Sequence, residues 1–293
     1  ARHYMPGWNL RLFVNLFTKS HKFPFVVIPD DHIMVVTAND GEAKPAGEVF
    51  GVWVDPACLT DGERFLSESE HGQRGPQMWV IGPGGTCAFN QLLFRHEMVP
   101  RTLFLPTEIS DPLDTEKKVS VPTFGRVTAL VGKEIVEGQG QRLLGCPLPA
   151  PGHNNFQNLR RFLEGVPDQT GTLVMGQRGP QQEIIEASAF LHPLAFRAEA
   201  HSATVVPEGH LGVRIQNTGD APTDPDDFLP QDDPIFVFRD KNGKEHKRRW
   251  VRVLKPSAVA GKRGVRPDSY HPGMKLVSPW VERIVSVDTT EVT

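Results

Sequence analysis

Apolar residues come along this chain in short extended runs punctuated by Pro and Gly, not at the three-and-four spacing of long helices. The segments KFPFVVIP (residues 22–29), PRTLFLP (100–106) and HSATVVP (201–207) are rich in Val, Phe, Ile and Thr, and each ends in Pro. That composition and that stop predict strands. Two further strands start just past two of those prolines, IPDDHIMVV from Ile28 and VPEGHLGVRI from Val206, with His32 and His210 each three residues after the Pro. The shared position predicts a common structural role for the two histidines, such as a strand-edge hydrogen bond. Helical periodicity is confined to short stretches, DGERFLSE from Asp61 and HNNFQNLRRFLEG from His153. In the second, Asn154 or Asn155 is the candidate N-cap and Gly165 the C-cap. Further on, IFVFRDKNGKEHKRRWVRVL predicts a hairpin turning at Asn242-Gly243.

These elements recur. GQRGPQ occurs at Gly72 and again at Gly176, and GKRG at Gly261 keeps the same Gly-x-Arg-Gly frame. A Pro-Gly turn follows 11 residues later in the first and third copies, Pro83-Gly84 and Pro272-Gly273, and Pro6-Gly7 near the start of the chain matches it. Pro6 to Pro29 and Pro83 to Pro106 are both separated by 23 residues. The pattern predicts a unit of strand, Pro-Gly turn, strand, strand, Pro, strand. Such a unit is too small to bury both its faces, so neighbours must share a core. The expected division is a C-terminal remnant of a unit at 1–28, a unit at 29–105, a unit with a helical insert at 106–206, and a last unit at 207–293 carrying an acidic loop and the hairpin. The expected fold class is mainly β with short helices, a tandem array of small β domains in an elongated arrangement.

Composition supports this reading. The chain has 293 residues, with 27 Gly and 26 Pro, and its apolar share of 39% suffices for packed cores. Formal charge is −3, from 32 basic and 35 acidic residues, so no global basic field recruits nucleic acid and no specific nucleic-acid partner is expected. Cys58, Cys87 and Cys146 lack paired spacing, which argues against a disulfide framework or a cysteine zinc site and for a reducing, cytoplasmic setting. No apolar run reaches the roughly 18 residues of a membrane-spanning helix. The start at Ala1 suggests processing or an excerpt from a longer polypeptide.

Candidate chemistry is sparse. GPGGT at Gly82 lacks the Lys-Ser/Thr ending of a phosphate loop, and the glycines from Glu137 are misspaced for a dinucleotide. The 11 His form no metal-binding spacing, and no nucleophile elbow is present, so neither a cofactor nor catalysis is expected. Asp220, Asp224, Asp226, Asp227, Asp232 and Asp233 read as a solvated insert, since the spacing of a calcium loop is missing. Lys244, Lys247, Arg248 and Arg249 are candidates for contact with an anionic surface, lipid or RNA, or for pairing internally or with a neighbouring subunit. Arg74, Arg178 and Arg263 occupy one repeat position. Flanking glycines allow close backbone approach and Arg offers a planar fork of donors, so these three are the expected contacts at junctions between units or subunits.

With the repeat laid out, PDSYHPGMKLVSPWVERIVSVDTTEVT (267–293) resembles the opening of an SPFH, or band 7, domain of the stomatin, prohibitin and flotillin type. Pro272, Gly273, Pro279, Trp280, Arg283, Val287, Asp288 and Thr289 carry the likeness, with VVPEGHLGVRI upstream similar to the strand that often opens these proteins. Tandem β units before such an opening also resemble the layout of vault shell proteins. The resemblance implies a non-enzymatic scaffold that self-assembles from many copies into a ring or cage, organising a membrane microdomain or enclosing clients. It implies membrane lipid or a membrane-bound client as partners, and a cytoplasmic location peripheral to a membrane through parts outside this chain. The alternatives are a soluble vault-like shell, or a monomeric module binding a protein partner through its inserts.

Overall fold

The computed structural model describes residues 24–134, 152–229, 236–239, 245–248, 253–259 and 261–288. The chain is mainly β, with two short helices, α1 (Gly62–Phe65) and α2 (Leu159–Glu164), and several small sheets. Among the described residues three sheets have three strands. The first places β1 (His32–Ala38) between β2 (Gly75–Ile81) and β3 (Phe94–Pro100). The second places β4 (Thr123–Ala129) between β5 (Gly179–Ile185) and β6 (Phe196–Ser202). In the third, β7 (His210–Gln216) lies between β8 (Gly264–Tyr270) and β9 (Glu282–Asp288).

All pairings in these sheets are antiparallel and share one register. Ala38 lies opposite Gly75 and Phe94, Ala129 opposite Gly179 and Phe196, and Gln216 opposite Gly264 and Glu282. One edge of each sheet carries an irregularity at the corresponding place, between Val35 and Thr37, between Pro180 and Ile184, and between Val213 and Ile215. The start of the central strand is fixed the same way in two of them. The His32 N–H donates to the Pro29 carbonyl (3.0 Å) and the His210 N–H to that of Pro207 (3.2 Å), so both histidines close the turn that launches a strand. The runs ending in Pro form short strands, Val26–Val27, Thr102–Leu103 and Thr204–Val206. Two of these meet the Pro-Gly elements, Val26–Val27 pairing with Thr86–Cys87 and Thr204–Val206 with Gly273–Lys275.

Helix α1 falls within the stretch DGERFLSE, and its N-terminus is capped by the Asp61 carboxylate, which accepts the Arg64 N–H (3.0 Å). Helix α2 corrects an expectation: it starts at Leu159, because Asn154, Asn155 and Phe156 all have positive φ (50°, 50° and 64°) and form a turn ahead of it. Neither Asn154 nor Asn155 therefore serves as the cap. Its end is as expected, with Gly165 at φ 82° donating its N–H to the Arg161 carbonyl (3.1 Å). Strands Phe236–Arg239 and Glu245–Arg248 pair antiparallel as the hairpin predicts, and the Asn242-Gly243 turn itself lies outside the described residues.

The chain divides into two compact units, one of residues 1–102, 156–160 and 189–195, the other of 103–155, 161–188 and 196–293. In the first, Met34, Val36 and Ala38 of β1 are buried against Phe65, Trp79 and Phe94. Phe65 meets Phe94 edge-on at 4.9 Å and Trp79 meets Phe94 at 5.8 Å, an arrangement that adds to the area buried. In the second unit Phe124, Val127 and Ala129 of β4 are buried, and Phe162 of α2 meets Phe196 at 4.9 Å in the same edge-on manner.

Candidate functional site

The Gly-x-Arg-Gly element is built identically in all three places. Four residues beyond the end of each central-strand register stands Glu42, Lys133 or Asp220, bridged in parallel to Gln73, Gln177 or Lys262. The backbone N–H of Glu42 donates to the Gly72 carbonyl (2.9 Å), that of Lys133 to Gly176 (3.0 Å) and that of Asp220 to Gly261 (2.9 Å). In return Arg74, Arg178 and Arg263 donate their backbone N–H groups to the carbonyls of Glu42 (3.0 Å), Lys133 (2.9 Å) and Asp220 (2.9 Å). The residue before each bridging position is Gly at positive φ: Gly41 (133°), Gly132 (117°) and Gly219 (98°). That conformation favours glycine, and a Cβ there would also press on the Gly72, Gly176 or Gly261 carbonyl.

The remaining letters of GQRGPQ have separate reasons. Gln77 is buried and its Nε2 donates to the carbonyls of Gln73 (2.8 Å) and Gly75 (2.9 Å). Gln181 repeats this with Gln177 and Gly179, both at 2.8 Å. Each glutamine thus bonds two carbonyls of its own turn. The leading glycine leaves room for a ring: Gly72 lies against Phe65 of α1, and Gly176 against Phe162 of α2.

Beneath this common frame the third sheet replaces the aromatic core with charge. Where the first has Val36, Trp79 and Phe94, the third has Arg214, Asp268 and Glu282. Arg214 grips the buried Glu282 with both arms (Nε to Oε1 2.7 Å, Nη2 to Oε2 2.6 Å), also pairs with Asp268, and lies 4.3 Å from the centre of the Tyr270 ring. Arg266 donates to Asp268 (2.9 Å). The bond to Glu282 raises the Arg214 pKa above its ordinary value. Asp268 is held below the usual carboxylate range: burial opposes ionisation, and the bond to Arg266 with the charges of Arg214 and Arg266 outweighs it. The network is self-neutralising and ties together the three strands of the sheet.

An open cleft of about 510 Å³ lies beside the first Gly-x-Arg-Gly turn, lined by Thr37, Asn39, Lys44, Arg74 and Arg95 among others. Lys44 lies across Gly75, with one proton donated to the Val49 carbonyl (2.6 Å). Arg95 stands opposite Thr37 on β3 and donates to Asn39 (3.4 Å).

Arg74, Arg178 and Arg263 are all exposed, with only their main chain engaged in the turn hydrogen bonds above. Gly84 and Gly273 take positive φ (74° and 121°) in the Pro83-Gly84 and Pro272-Gly273 elements, whereas Pro6-Gly7 lies outside the described residues. Lys247 and Arg248 sit on the strand Glu245–Arg248, and Lys244 and Arg249 lie outside the described residues. Two recurring features escaped the sequence reading. One is the Gly before Glu42, Lys133 and Asp220. The other is an exposed Arg on the third strand of each sheet: Arg95, Arg197 and Arg283. The dipeptides Phe94-Arg95, Phe196-Arg197 and Glu282-Arg283, at similar distances beyond Gly-x-Arg-Gly, were the available signal. Among the described residues no group of His, Cys, Asp and Glu is placed to hold a metal ion, and no helix is long and apolar enough to cross a membrane. Cys58 and Cys87 are free thiols, their pKa values pushed up by burial, and Cys146 lies outside the described residues. No family model, no curated protein and no solved structure matches the chain.

Proposed function

We propose that this chain is a non-enzymatic scaffold of tandem β units that assembles with copies of itself, its last unit leading into an SPFH-like domain. The observation that carries the reading is the reciprocal pair of main-chain hydrogen bonds joining Gly-x-Arg-Gly to Glu42, Lys133 and Asp220 in three sheets of common register. A catalytic site is ordinarily singular, whereas a device written three times in one chain serves architecture. Because the turns use only the main chain of Arg74, Arg178 and Arg263, the three guanidinium groups stay exposed and free for junctions between protomers. Native mass measurement tests assembly. Flotation with anionic vesicles then separates a membrane-organising scaffold, which floats, from a soluble vault-like shell, which does not.

A further inference from the structure

The three sheets share an exposed Arg in the Gly-x-Arg-Gly turn and another on the third strand, and in the first Lys44 joins Arg74 and Arg95 in lining one cleft. Lys44 is two residues past Glu42, and the corresponding positions beyond Lys133 and Asp220 are Ile135 and Pro222, neither of which carries a charge. The Gly41 N–H and, to a lesser degree, the Arg74 charge hold the nearby Asp40 carboxylate below its usual range. Asp40 accepts the Gly41 N–H (2.8 Å), and Glu42 faces His71 (3.1 Å). Among the described residues none of the three cations forms an ion pair with a carboxylate. The chain as a whole is slightly acidic, so three such cations in one concavity mark a seat for an oxyanion rather than a general basic surface.

The complementary element is also on this chain. The segment 219–229, GDAPTDPDDFL, presents Asp220, Asp224 and Asp226 exposed, the side chain of Asp226 being 95% exposed. A short 3-10 turn at Pro225–Asp227 is closed by the Asp224 carboxylate on the Asp226 N–H (2.9 Å); Lys255 stands 4.0 Å from Asp226 and Lys262 3.6 Å from Asp227, and among the described residues Asp220 and Asp224 have no cation partner. Arg is the side chain best suited to receive carboxylates as paired hydrogen bonds.

We propose that the cleft of Lys44, Arg74 and Arg95 seats the acidic segment 219–229 of a second copy of the chain. The inference rests on the self-assembly reading and gives it a polarity. The third sheet of one copy meets the first sheet of the next, a head-to-tail contact of the kind that closes into rings or runs on as filaments. Opposite charges across such a contact raise the association rate and make it fall with salt.

The test titrates a fluorescent peptide of residues 219–229 into the full chain at low and at physiological salt. Saturable binding is expected, weakened at least tenfold in the Arg74→Ala/Arg95→Ala variant and weakened by salt. Arg197→Ala, on the second sheet, leaves it unchanged. Both cleft side chains are exposed, and the Arg74 main-chain bond survives substitution, so the variant should melt with the wild type. Peptide binding that is absent, or equal in the cleft variant, overturns the proposal, as does cleft-dependent binding of inorganic phosphate or anionic vesicles without the peptide. Sedimentation of the wild-type chain separates the two levels. A multimer with no peptide binding sinks this contact alone, whereas a monomer at every concentration sinks the assembly reading and this contact with it.

Discussion

The Gly176 N–H donates to the Phe162 carbonyl at 2.7 Å, and the Phe162 ring occupies the space a side chain on Gly176 would need. The same relation holds between Gly72 and Phe65 (2.9 Å), whereas nothing lies within 4 Å of a Cβ placed on Gly261. Gly176→Ala and Gly72→Ala should each cost about 1 to 3 kcal/mol through overpacking against a buried ring, while Gly261→Ala should be close to neutral. Chemical denaturation of the three variants checks the ranking. Equal effects at all three positions would mean that the leading glycine serves the turn and not the ring.

Gln77 and Gln181 are the buried clamps of their turns. Replacing either by Ala removes two hydrogen bonds, at an expected cost of about 2 kcal/mol. Hydrogen exchange at the Arg74 and Arg178 amides should accelerate in the matching variant only. Unchanged protection would show that the turns hold without the clamp.

The charged network of the third sheet carries a different expectation. Glu282→Ala removes the bidentate partner of the half-buried Arg214 and should cost about 1 to 3 kcal/mol, since Asp268 remains as its carboxylate partner. Arg214→Val with Glu282→Phe restores the Val and Phe found at the corresponding positions of the first sheet, and should recover much of that loss. A Glu282→Ala variant as stable as the wild type in urea melts would remove the network from the account.

His192 gives a pH signature. Its ring is buried, 2% exposed, meets Phe50 edge-on at 4.7 Å, and accepts the Leu194 N–H at Nδ1 (3.2 Å), a bond that protonation abolishes. Burial pushes its pKa down from 6.5 to about 4. Between those values the unfolded chain binds a proton that the folded chain refuses. Stability is therefore full above pH 6.5 and declines as pH falls toward 4, by about 3 kcal/mol at most. His192→Asn keeps an acceptor for Leu194 and should flatten the pH dependence in that window. An identical slope in both proteins would assign the acid sensitivity to other groups.

Much of this architecture was legible because its signals are local. The strands after Pro29 and Pro207, the Gly165 stop and the recurrence of Gly-x-Arg-Gly are all written within a few residues. What escaped depends on partners distant in sequence. Gly132 pairs with no recognisable motif until Gly176 is brought beside it 44 residues later, and Arg95 reads as an ordinary surface cation until β1 places it near Lys44 and Arg74. The exchange of Val36, Trp79 and Phe94 for Arg214, Asp268 and Glu282 is visible only once the register is known, since no single position announces it. Asn154 and Asn155 misled for a local reason: both tolerate positive φ, and here they use that tolerance to turn the chain ahead of the helix.

Assembly is the claim on which the rest depends, and sedimentation-velocity measurement of native mass over a range of protein concentrations tests it most directly. The account predicts a species at a large multiple of the 32.5 kDa chain, shifted toward smaller forms by salt and by Arg74→Ala/Arg95→Ala. A single 32.5 kDa species at every concentration and low salt would contradict it.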